Sequence, residues 1–177
     1  MLPFSLAIIL IALLTSPAPA EEKSACSLLT SSDIEAVVGG KSSAAQPLQF
    51  DDIPTGKKSV KVDGCLWGVS TMGQISVSWF RGPLTDDEIA QLINMTKNNP
   101  GTADLKKANY KETAKDFPQA WCSTYTPPAG AKDGMPMSTC AGGAKGQGLT
   151  LTFMSPSKTL TIDQTKALLD KAASHVH

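Results

Sequence analysis

Four cysteines, two histidines and one Met-x-Met pair are the residues with which this sequence could do chemistry. Cys26, Cys65, Cys122 and Cys140 are nowhere closer than eighteen residues apart. A thioredoxin-like redox centre or a structural zinc site needs close pairs such as C-x-x-C, so the spacing argues against both. An even number of cysteines in an exported chain reads as disulfides, and four allow three pairings. His175 and His177 both fall in the last three residues. Chain ends fray, so no scaffold would hold either imidazole as a general base. Asp51-Asp52, Asp86-Asp87-Glu88 and Asp116 could serve a carboxylate hydrolase. The acids at 86–88 better suit the first turn of a helix, where the macrodipole favours them, and Asp51-Asp52 suit a solvated loop. No catalytic residue is assigned, and the chain is read as a non-enzyme. Met135-Pro136-Met137 and His175-Val176-His177 offer thioether and imidazole donors of the kind copper prefers. They are weak metal candidates, and no cofactor is expected.

The elements that would position these residues show an internal duplication. Cys65-Leu66-Trp67 is followed by the strand-like run Gly73-Gln74-Ile75-Ser76-Val77-Ser78-Trp79 and then by Pro83-Leu84-Thr85-Asp86-Asp87-Glu88. Cys140 is followed by Gly146 to Phe153 and then by Thr159-Leu160-Thr161-Ile162-Asp163-Gln164. Ile75, Val77 and Trp79 alternate with Ser76 and Ser78; Leu149, Leu151 and Phe153 alternate with Thr150 and Thr152. A period of two means a strand with one buried and one wetter face, which suits an antiparallel sheet. Thr85 with Glu88 and Thr161 with Gln164 are capping boxes: each Thr hydroxyl accepts from the N3 amide, and the N3 side chain accepts from the cap amide. Thr30 with Asp33 is a third, looser copy, since Asp is short for the task. Leu29 should staple to Ile34 and Leu84 to Ile89. Leu160 meets Thr165, a poorer staple. Gly39-Gly40 and Asn98-Asn99-Pro100-Gly101 should end the first two helices.

Less regular stretches complete the reading. Leu48 to Phe50 suits a short edge strand beside Pro47, and 51–59 reads as loop. Strands are expected over 60–70, 120–126 and 138–144, and 106–117 is ambiguous. A hairpin centred near Ala131 would set Cys122 directly opposite Cys140, which gives the pairing Cys122–Cys140 and leaves Cys26–Cys65. Trp67 and Trp121, each within two residues of a cysteine, are candidate ligand contacts, with core packing over the disulfides as the leading reading. The Pro/Gly-rich loop at 126–137 is a candidate partner surface.

Composition excludes several classes. Sixteen cations balance sixteen anions, and Arg81 is the one arginine, so neither nucleic acid nor an anionic membrane is an expected partner. Residues 1–20 hold no charged side chain, an apolar run from Phe4 to Leu14 and Ala18-Pro19-Ala20 before Glu21. That is the pattern of a secretory signal peptide and is too short to span a bilayer. Residues 21–177 should then form a single periplasmic or secreted domain with no transmembrane anchor after cleavage. The expected fold is α+β: an antiparallel sheet with helices packed on one face, built as a tandem strand-strand-helix pseudo-repeat.

The run Cys26-Ser27-Leu28-Leu29-Thr30-Ser31-Ser32-Asp33-Ile34-Glu35-Ala36-Val37-Val38-Gly39, with Cys65-Leu66-Trp67 after it, resembles bacterial extracytoplasmic domains that open C-x-L-L-T-x-x-[DE]-[IV]-x-x-x-x-G. Many of these are actinobacterial lipoproteins or secreted proteins of unknown function. The resemblance covers roughly the first sixty residues after the leader and implies a compact envelope domain. No lipobox precedes Cys26, so the lipid anchor is not carried over, and no functional residue transfers. The expected function is binding of a small molecule or an envelope protein, with a ligand in the groove between the halves or under the 126–137 loop. Copper handling and carboxylate hydrolysis are the alternatives.

Overall fold

A computed structural model of the chain describes residues 23–55, 58–70, 73–97, 111–113, 120–127, 135–157 and 159–176. The expected leader, Asp116, His177 and most of the 126–137 loop lie outside them. The elements run α1 (Ser31–Val38), β1 (Gln46–Gln49), β2 (Ile53–Thr55), β3 (Lys58–Val60), β4 (Val62–Val69), β5 (Gly73–Phe80), α2 (Asp86–Lys97), β6 (Lys111–Thr113), β7 (Ala120–Tyr125), β8 (Met137–Ala144), β9 (Gln147–Met154) and α3 (Ile162–Ser174), with a 3-10 turn at Ala25–Ser27 before α1. Seven strands form one antiparallel sheet in the order β1-β4-β5-β9-β8-β7-β6. The fold is α+β, as the patterning indicated. Residues 51–59 are not all loop: β2 and β3 pair Ile53 with Val60 as a small separate hairpin.

The sheet's symmetry follows from its register. In the central β5–β9 pair, Val77 faces Leu151, while Ile75 faces Phe153 and Trp79 faces Leu149. Rotation by half a turn about the Val77–Leu151 pair exchanges the two alternating runs. Cys65 pairs with Val77 on one flank, and Cys140 pairs with Leu151 on the other. The strands therefore obey the duplication read from the sequence. The second hairpin turns through Lys145 and Gly146, both at positive φ (51° and 69°). Two such residues give the twist that a two-residue hairpin needs, and the glycine makes it cheap.

One face of the sheet is sealed. Cys65, Trp67, Val69, Ile75, Val77, Trp79, Leu149, Leu151 and Phe153 join Leu28, Leu29, Ile34, Leu160, Leu168, Leu169 and Ala172 in one buried cluster. α1 and α3 supply the helical half of that cluster. Cys26 of the 3-10 turn is bonded to Cys65, and Cys122 to Cys140 across adjacent strands. Both bridges lie in the row of Val77 and Leu151, so one pins the N-terminal segment to the sheet and the other closes β7 onto β8. At the α3 end, His175 Nδ1 lies 2.9 Å from the Leu28 carbonyl and Lys145 Nζ donates to the Val176 carbonyl at 2.8 Å.

The helix starts carry the expected chemistry, with one correction. Thr161 and Gln164 exchange both bonds of a capping box, and Thr85 with Glu88 does the same. Asp33 also closes its box, accepting from the Thr30 amide at 2.9 Å and the Thr30 hydroxyl at 2.6 Å. The short Asp33 side chain therefore reaches the cap amide. Lys171 of α3 approaches Asp33 at 3.4 Å, so the same carboxylate joins the two helices. Burial alone would raise the Asp33 pKa; the bonds from Thr30 and the Lys171 charge outweigh it and hold it below the ordinary aspartate value.

A second difference concerns the layers. α1 and α3 share a face, but α2 does not join them. Phe80 and Gly148 face each other in the register and alternate with the core residues Trp79 and Leu149. A Cβ on Gly148 would come within 2.7 Å of Leu92 Cδ1, and one on Gly143 within 2.7 Å of Ile89 Cδ1. α2 thus packs on the opposite face, over two positions kept bare for it. Val60, Leu84, Ile89 and Leu92 make a small separate cluster there. The pseudo-symmetry holds for the strands and fails for the helices.

Two outcomes follow. The bridges close stretches of 39 and 18 residues, so loop entropy predicts that replacing Cys26 and Cys65 by Ser costs about 4 kcal/mol, and replacing Cys122 and Cys140 about 3 kcal/mol. Urea titration checks this; losses under about 1 kcal/mol would contradict it. Because the folded-state pKa of Asp33 is depressed, its stabilisation is complete above the ordinary aspartate pKa and fades as pH falls through the lowered value. Asp33→Asn should therefore be destabilising at neutral pH, and its deficit should shrink in acid. A deficit independent of pH contradicts the assignment.

Candidate functional site

The outer face of the sheet holds a groove of about 440 Å³. Among the described residues, α2 covers part of this face and leaves the rest open beside it. The lining residues come from both halves of the duplication: Ser76, Ser78 and Phe80 from β5, Leu92, Met95 and Thr96 from α2, Met137 and Thr139 from β8, Thr150, Thr152 and Met154 from β9, and Ile53 from β2. Its volume falls within the range of small-molecule sites.

The floor is ordered by the strand register. Phe80 sits at the end nearest the start of α2, in the row of Gly148. Next come Ser78 and Thr150, which face each other, then Ser76, Thr152 and Thr139 side by side. Met154 and Met137 face each other in the last row. Thr139 and Thr152 share a hydrogen bond at 2.6 Å between their hydroxyls. The side-chain hydroxyls of Ser76, Ser78 and Thr150 bond no other group among the described residues. The groove therefore offers hydroxyl donors and acceptors in a central band, with apolar ground at each end. None of the described lining side chains carries a charge.

The candidates read from the sequence are dispersed. Met137 lines the groove, but Met135 does not and stands 51% exposed. His175 lies beside Leu28, on the sealed face, so the structure does not bring it near Met137. Trp67 is in the core at 1% exposure. Trp121 is buried at 2%, with Lys97 Nζ of α2 over its ring at 5.8 Å, and neither tryptophan lines the groove. Asp86, Asp87 and Glu88 occupy the first turn of α2, and Glu88 is held below the ordinary glutamate value chiefly by the Thr85 amide hydrogen bond. Asp51 and Asp52 are exposed between β1 and β2. Among the described residues no cluster of His, Cys, Asp or Glu could hold a metal.

Ser76, Ser78, Thr150 and Thr152 were legible as a wetter face but not as a site. The signal for more lay at the strand ends. Trp79-Phe80 and Phe153-Met154 are consecutive apolar pairs, so each run places one apolar side chain on its polar face. Gly143 and Gly148 on that face mark where a helix approaches.

No family model and no curated protein matches the chain. Among solved structures, it is similar to the extracellular domain of PknH from Mycobacterium tuberculosis. The two are 15% identical, the match covers 88% of this chain and 95% of that one, and the TM-score is 0.57. At that identity the likeness shows a shared fold.

Proposed function

We propose that this chain is a non-enzymatic, extracytoplasmic binding domain that takes a small molecule in the groove between α2 and the outer face of the sheet. The observation that carries the reading is the groove itself, built from both halves and, among the described residues, left open on a face that α2 only partly covers. Two disulfides among the described residues support a life in an oxidising compartment. The signal-like leader and the resemblance to bacterial envelope domains agree with export. So does the likeness to a domain that is extracellular in PknH. Among the described residues, no lining side chain titrates near neutral pH, so none offers general acid–base catalysis there. The copper set read from the sequence is divided, since His175 and Met137 lie on opposite faces.

The test uses the oxidised protein and the uncharged fluorophore N-phenyl-1-naphthylamine. Its emission should rise on mixing, and Thr150→Trp, which fills the middle of the groove, should abolish the rise while leaving the circular dichroism spectrum unchanged. No rise, or a rise indifferent to Thr150→Trp, contradicts the reading.

A further inference from the structure

We infer that the groove takes an uncharged, chain-like molecule, apolar at both ends and carrying an ester, amide or hydroxyl group near its middle. The inference rests on the groove being a ligand site and names the class of ligand.

Three observations point the same way. The first is charge: of the twelve described residues that line the groove, none is ionisable at neutral pH. Burying an ionised head against such a wall would leave it uncompensated, which is costly. The second is the order of the rows. Phe80 and Leu92 mark one end, Met137 and Met154 the other, and five hydroxyls lie between. Four rows at two residues per step extend ~20 Å along the strands. An extended ligand that matches this floor has its polar group in the middle and its apolar parts at the ends. Ser76, Ser78 and Thr150 each offer a hydroxyl that can donate to or accept from such a group. The third is the methionine content. Met95, Met137 and Met154 all line the groove, and Met95 is 52% exposed. Thioether side chains adapt to flexible apolar partners better than branched ones.

A soft cation such as Cu(I) is the competing occupant, because three thioethers are present. The arrangement of the donors favours the chain-like molecule. Met137 and Met154 stand together in one row, Met95 comes from α2, and hard hydroxyl donors fill the ground between Phe80 and that row.

The experiment is calorimetric titration of the full oxidised domain with N-hexylhexanamide, whose central amide lies between two apolar arms. Decanoate and decyltrimethylammonium, kept below their micelle concentrations, are the charged comparisons, and Cu(I) is titrated separately under a competing chelator. The amide should bind at least tenfold more tightly than either charged chain. Ser78→Ala and Thr150→Val should each weaken it about fivefold, the loss of one hydrogen bond, and Met135→Leu should not. A charged chain that binds as well as the amide, and is displaced by Thr150→Trp, overturns the ligand class and keeps the groove as a site. Cu(I) binding tighter than the amide, and lost in Met137→Leu and Met154→Leu, does the same. No binding of any chain or of Cu(I) overturns both this inference and the reading on which it rests.

Discussion

The structure depends on one row of side chains that crosses the sheet at its centre. Cys65, Val77, Leu151, Cys140 and Cys122 stand side by side on the same face. Val77 and Leu151 bring the two halves of the chain together, and a cysteine flanks them on each side. The two sulfur bridges extend this row outward, to the turn before α1 on one flank and to β7 on the other. Backbone pairing sets the register, apolar burial holds the face closed, and the crosslinks remove unfolded-state freedom from both flanks.

A consequence is that the two faces of the sheet have different jobs. The sealed face is covered by α1 and α3, which are coupled through Asp33 and Lys171 and through Gln164 and the Val37 carbonyl. Among the described residues, the other face carries α2, seated on Gly143 and Gly148 through Ile89 and Leu92, and the β2–β3 hairpin, whose Ile53 and Val60 reach the groove and the α2 cluster. No disulfide among the described residues reaches α2. A helix held by a small apolar cluster can shift without disturbing the sheet beneath it. Opening of α2 is therefore expected to cost less than unfolding of the sheet.

Much of this was legible in the sequence, and the limits were physical. The alternation of Ile75, Val77 and Trp79 with serines, and its copy at Leu149, Leu151 and Phe153, announced two strands with one buried face each. The capping threonines announced the helices, because a cap is a local interaction between residues three apart. Cys122 and Cys140 could be paired because a hairpin makes their opposition local as well. The face chosen by α2 could not be read that way. A period of two says that a strand has two faces, and an amphipathic helix says that it needs one; neither says which is free. Symmetry suggested that α2 would follow α3, but α1 and α3 already fill the sealed face. The serine and threonine face was therefore read as wet, whereas α2 turns it into a groove. Asp33 was judged by side-chain length alone, without the hydroxyl bond from Thr30 or the charge of Lys171.

Native-state hydrogen exchange tests the asymmetry of the two faces most directly. In the oxidised domain, amides of β4, β5, β8, β9 and α3 should exchange only through global unfolding, with their protection falling together as urea is added. Amides of α2 should exchange through a separate, smaller opening that depends little on urea. If α2 instead exchanges with the same free energy and urea dependence as β5 and β9, its cover is fixed to the sheet and the account of a rigid floor beneath a movable helix is wrong.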